Sequence, residues 1–85
     1  MLSKIKLALR LTGNTFNSEI QNCIDFVQRD LQDLGVLYYD DTNPRIINLT
    51  SLYAKSVFNF EGKGDWYQKE YERLRNQITM QGEYV

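Results

Sequence analysis

The sequence predicts an all-α protein, a small bundle of about four helices over residues 2–11, 17–34, 44–60 and 65–81. Three observations carry that expectation. Apolar residues recur three and four positions apart through most of the chain. Glycines and capping residues fall between the periodic stretches, at Gly13, Gly35, Asn43-Pro44 and Gly62-Lys63-Gly64. No segment reads as a strand.

In the first helix, Leu2, Ile5 and Leu9 share one face. Leu7 and Leu11 lie nearly opposite, with Ala8 between the two sets, and Lys6 and Arg10 sit one turn apart. A helix this short is unstable alone in water and must dock. Its apolar surface suffices for two contacts, either both internal or one to another subunit. Gly13 suits a helix end that needs positive φ, and Asn17 or Ser18 suits the cap of the next helix, with Glu19 in its first turn.

The second helix carries one narrow stripe, Ile20, Ile24, Val27, Leu31 and Leu34. Cys23 borders it as a small buried apolar residue, and Phe26 falls off it, either covered by a loop or open to a partner. Gly35 ends the helix, and Val36 supplies the apolar contact that often follows such a glycine. Asp40 and Asp41 are read as a solvated loop, since no further ligand or acid–base pattern converges on them.

The third helix opens with Asn43 as cap and Pro44 in the first turn. Ile46, Leu49, Tyr53, Val57 and Phe60, widened by Ile47, Ala54 and Phe58, make an apolar arc over about half the circumference. An arc that wide meets more than one neighbour, so this is the expected central helix. Asp65 is the expected cap of the fourth helix, whose stripe is Tyr67, Tyr71, Leu74 and Ile78. Glu70–Arg73 and Glu72–Arg75 are spaced as ion pairs. Trp66 and Met80 point off the stripe. Gly82 is the expected stop, leaving a tail that includes Tyr84 and Val85.

Composition narrows the function. Eighty-five residues suit one domain, 1–85, without internal repeat or boundary. With one cysteine and no histidine, neither a disulfide nor a structural metal is expected, and the common general base near neutral pH is missing. Cys23 has no histidine to activate it. Gly62-Lys63-Gly64 lacks the spacing of a phosphate loop. We therefore expect no catalytic, metal or cofactor-binding residues and no enzyme.

The net charge of −1 makes no bulk case for nucleic acid. Its distribution is uneven. Residues 1–16 hold Lys4, Lys6 and Arg10 without an acid, whereas 17–43 hold Glu19, Asp25, Asp30, Asp33, Asp40 and Asp41 against Arg29 alone. These halves can attract one another within a subunit or between subunits. The start lacks the apolar run of a signal peptide, and no stretch reaches the length of a membrane span, so a soluble protein made in a cytoplasm is expected. Protein–protein association is the function that composition and pattern prefer.

The order of features resembles a known family. Ile5-Lys6-Leu7-Ala8-Leu9-Arg10-Leu11, Glu19-Ile20 with Ile24 and Leu31, and Gly35-Val36 carry the likeness. So do Ile46-Ile47, Leu52-Tyr53, Lys55 and Phe58, then Tyr67-Gln68-Lys69, Tyr71-Glu72 with Leu74, and Gly82-Glu83-Tyr84. Together they resemble the small head–tail connector proteins of long-tailed bacteriophages. These are also called head-completion or adaptor proteins, and some carry the label of putative DNA-packaging proteins. The linker Gly62-Lys63-Gly64-Asp65-Trp66 and the bulky Phe26-Val27 depart from the family pattern.

The resemblance implies a structural virion protein, made in the host cytoplasm and built into the head–tail interface. It implies a homo-oligomeric ring, usually twelvefold, beneath the portal protein, offering a surface to a downstream stopper or tail-completion protein. DNA passes through the lumen without sequence-specific binding, and no membrane is involved. Lys4, Leu7, Arg10, Leu11, Phe26, Trp66, Tyr84 and Val85 are the candidate subunit or portal contacts. The alternative reading, motivated by the basic first helix, is a small helical DNA-binding regulator or packaging accessory protein.

Overall fold

The computed structural model describes residues 1–36 and 39–80. Four α-helices follow one another: α1 (Leu2–Ala8), α2 (Asn17–Asp33), α3 (Pro44–Val57) and α4 (Gly64–Met80), with one 3-10 turn, Phe60–Gly62, before α4. No strand occurs among the described residues. The expected stop at Gly82 and the tail beyond it lie outside them, as does Tyr38.

The centre is α3, which packs against α1, α2 and α4. It contributes to two apolar clusters. In the first, Ile46 and Leu49 meet Val27 and Leu31 of α2, Val36, and Tyr71 and Ile78 of α4. In the second, Ala54 meets Ile5, Leu9 and the α2 residues Ile20, Cys23 and Ile24. Tyr53 packs against both. The wide arc thus has the neighbours its width calls for, except at its end. The helix stops at Val57, which is 54% exposed, and Phe60 falls in the 3-10 turn. Thr50 and Ser51 are buried on α3 as well; their hydroxyls donate to the carbonyls of Ile46 (2.8 Å) and Ile47 (2.9 Å), so neither needs an outside partner.

Helix ends correct several expectations. α1 stops at Ala8, not at residue 11. Gly13 has the expected positive φ, 79°, but lies in the turn beyond the helix; the left-handed residue that closes α1 is Arg10, at φ 59°, and Arg10 N–H and Leu11 N–H donate to the carbonyls of Leu7 and Lys6. A left-handed non-glycine residue costs roughly 1–2 kcal/mol. The turn swings Leu11 back onto the second cluster, and that burial is of comparable size. Gly35 behaves as expected: at φ 93° it closes α2, and Val36 is buried in the first cluster. Leu34 leaves the predicted stripe and is exposed, because it is the residue at which α2 ends.

Asn43 caps α3 as expected, its Oδ1 accepting from Arg45 N–H at 2.8 Å. α2 has no side-chain cap. Phe16 occupies the capping position, while Asn17 is already helical and donates its amide to Asn14 Oδ1 (3.1 Å). Nor does Asp65 cap α4. It lies in the first turn, and the N–H of Gly64 donates to Asn59 Oδ1 at 2.8 Å.

That bond draws the α3–α4 connection tight. A Cβ on Gly64 would lie 2.8 Å from Asn59 Oδ1 and 3.0 Å from the Ser56 carbonyl oxygen. We expect Gly64→Ala to destabilise the protein by about 1–2 kcal/mol despite alanine's better helix propensity. Urea unfolding measures it; a stabilised variant would show that the connection relaxes freely.

Candidate interaction surface

Side chains left over from the two clusters form three surfaces. The first is a shallow groove between α2 and α3, about 320 Å³, lined by Glu19, Asn22, Cys23, Phe26, Tyr53 and Val57. Positions 19, 22, 23 and 26 fall on one side of α2 because they step by three and four. Phe26 is 45% exposed and stacks on Tyr53, with ring centroids 4.4 Å apart and an interplanar angle of 9°. It is therefore neither loop-covered nor free: one ring face is held and the rest is open. Burial pushes the Cys23 thiol above its ordinary value, which keeps it a thiol, a poor nucleophile.

Beyond Tyr53, Tyr71 continues the aromatic row at 5.2 Å. Its hydroxyl donates to Asp30 Oδ2 at 2.6 Å, and Arg75 Nη1 donates to the same oxygen at 3.2 Å. Arg75 thus pairs across to α2 instead of with Glu72, as its spacing suggested. The Glu70–Arg73 pair forms as expected, at 2.7 Å. The acidic middle of the chain is in this way partly answered by α4. Of the basic N-terminal residues, Arg10 reaches Glu61 (3.8 Å) and Lys6 reaches Asn14 (3.3 Å).

The second surface surrounds the 3-10 turn. Phe60 and Tyr67 lie 6.1 Å apart, Trp66 sets its ring at 80° to Tyr67, and Lys55 Nζ stands 5.2 Å and 5.4 Å from the Phe60 and Tyr67 ring centres. Arg10 approaches Phe60 from the other element, at 5.7 Å. Arg10 and Trp66, far apart in sequence, therefore flank one aromatic cluster. Trp66 remains more than half exposed.

The third is the outer side of α1. Ile5 and Leu9 turn inward, and Lys4 and Leu7 face solvent, Leu7 at 79% exposure. Leu11 is half-buried against the second cluster and not opposite it. Met80, at 84%, is the most exposed large apolar side chain among the described residues. Tyr84 and Val85 lie outside the described residues.

The structure adds Phe16, Val57 and Tyr53 to the residues expected at these surfaces. Phe16, exposed at the start of α2, stands edge-on to Phe58 at 5.7 Å. An aromatic residue at a capping position was the available signal for it. Asp40 is used locally: its carboxylate accepts from Thr42 N–H (2.9 Å) and Oγ1–H (2.6 Å), which holds it below the usual carboxylate range.

The groove, the aromatic cluster and the outer side of α1 are where the described apolar side chains remain open to solvent. Comparison with known protein families matches the whole chain, residues 1–85, to the family described as phage connector protein. The chain belongs to that family. No curated protein and no solved structure matches it significantly.

As a phage head–tail connector it is a structural component of the virion, a non-enzymatic kind of protein that interacts with other virion proteins. Among the described residues, no helix is long and apolar enough to cross a membrane.

Proposed function

We propose that this connector oligomerises into a ring, twelvefold in the virion, beneath the portal protein. There it extends the DNA channel and offers its far side to a stopper or tail-completion protein. The observation that carries the reading is the spread of uncovered apolar side chains over separate elements: Leu7 on α1, Phe26 and Val57 on the groove, and Trp66 and Met80 on α4. A head-to-tail ring needs two different surfaces on each subunit, and a portal and a downstream partner need more. DNA runs through the lumen without base-specific contact, which agrees with a net charge of −1. Assembly takes place in the host cytoplasm.

Sedimentation or native mass spectrometry, on the chain alone and with its portal protein, tests this reading. The expected result is a ring, on its own or on the portal. A strict monomer that never binds the portal overturns it.

A further inference from the structure

We propose that the outer face of α1 on one copy seats in the α2–α3 groove of a second copy, with Leu7 as the apolar knob and Lys4 set against Glu19. The inference rests on the ring reading and names its subunit contact.

The two faces complement each other in shape and in charge. The groove is apolar at its base, through Phe26, Tyr53, Cys23 and Val57, and Glu19 stands among its lining residues. It lies on α2, which bears Glu19, Asp25, Asp30 and Asp33 against a single base, Arg29. Asp30 is answered internally by Arg75 and Tyr71, and Asp25 accepts from Gln21 at 3.0 Å. Glu19 and Asp33 make no such contact among the described residues. α1 carries Lys4 and Lys6 and no acid, and Arg10 follows it. Lys6 and Arg10 are occupied by Asn14 and Glu61, which leaves Lys4 as the base free to reach out.

The geometry suits a head-to-tail contact. Every residue lining the groove comes from α2 or α3, and the ridge comes from α1 alone, so one copy presents both faces without overlap. Each copy is a donor at one side and an acceptor at the other, the arrangement that builds a ring where the rotation between copies closes. Leu7 is the most exposed large apolar side chain of α1 and belongs to neither apolar cluster, since Ile5 and Leu9 already dock the helix. A groove of about 320 Å³ is at the small end of sites that accept a bound group, which fits a leucine and the stem of a lysine better than a whole helix.

The test traps the contact as a disulfide. In a Cys23→Ala background, chains carrying both Leu7→Cys and Val57→Cys are oxidised at concentrations up to about 1 mM, where contacts as weak as ~4 kcal/mol are populated. The expected result is a ladder of dimers, trimers and longer species, with 7–57 linkages identified by peptide mapping. Either cysteine alone stops at dimers. Exposed charges supply the second arm, which leaves the core untouched. Glu19→Lys and Lys4→Glu each weaken self-association by about three- to tenfold, and the two together restore it.

A chain that self-associates without the 7–57 linkage, or whose association ignores both charge reversals, overturns this contact and leaves the ring reading standing. Absence of any linkage at about 1 mM also overturns it, whether or not rings form on the portal. The ring reading itself falls only if binding to the portal is absent too.

Discussion

Leu49→Ala will lower the midpoint of thermal unfolding by roughly 10–25 °C, the largest effect we expect from a single truncation. Leu49 is fully buried on α3 and lies in the cluster that joins α2 to α4. Removing it deletes apolar burial and leaves a cavity among Val27, Leu31, Tyr71 and Ile78, at a cost of about 2–5 kcal/mol. A domain of this size has a stability of about 5–10 kcal/mol, so the loss is a large share of the whole. Circular dichroism against temperature measures it. Leu7→Ala is the control and will change the midpoint by no more than about 4 °C, because its side chain already faces water. A small effect at Leu49 would mean that α3 is not the centre on which the other helices depend.

The second large effect is at Asp30. Its Oδ2 accepts from both the Tyr71 hydroxyl and the Arg75 guanidinium, and these hydrogen bonds tie α4 directly to α2. Asp30→Ala leaves the buried hydroxyl without its acceptor and strips Arg75 Nη1 of its carboxylate, while Nε and Nη2 of that three-quarters-buried guanidinium keep Asn76 Oδ1. Hydrogen bonds to charged groups contribute about 1.5–3 kcal/mol, so a loss of about 2–3 kcal/mol is expected in urea unfolding. Tyr71→Phe removes one arm alone and will cost about 1 kcal/mol.

Alkaline titration gives the same variant an independent readout. Burial, then the hydrogen bond to Asp30, then the Asp30 charge push the Tyr71 hydroxyl far above the ordinary tyrosine range. The folded state therefore holds this proton more tightly than the unfolded chain does. Its stabilising contribution is complete below the ordinary tyrosine value and declines as pH rises beyond it. Tyr39 and Tyr53 are raised as well, chiefly by burial, and add to the decline. In Asp30→Ala two of the causes acting on Tyr71 vanish while burial remains, so its ionisation, followed by tyrosinate absorbance, will move down without reaching the ordinary value. An unchanged alkaline titration would show that the Tyr71–Asp30 bond is not formed in solution.

These two sites mark the boundary of what could be read from the residues. Leu49 was legible because a spacing of three and four projects side chains onto one helical face, whatever the neighbours are. The same periodicity placed Ile20, Ile24, Val27, Leu31, Tyr67, Tyr71 and Ile78 inward, and the Asn43-Pro44 and Gly35 signals hold. Asp30 was not legible. Its partners stand 41 and 45 residues away, and local spacing offered Arg75 a nearer carboxylate in Glu72.

The surfaces follow the same division. Leu7 and Trp66 could be suspected as off-stripe residues, but the pairing of Arg10 with Phe60 and the groove between Phe26 and Val57 require two elements to be brought together. Helix ends failed for a related reason. The sequence offers Gly13 as the obvious stop, yet α1 ends earlier at a left-handed Arg10, because only there does Leu11 return to the core. Local chemistry was sufficient for the number of helices, their inward faces and the central place of α3, since those depend on period and capping within a turn or two. Where each helix stops, which charge answers Asp30 and which leftover faces adjoin one another are settled by packing, because burial at contacts distant in the chain outweighs the one or two kcal/mol by which local preferences differ.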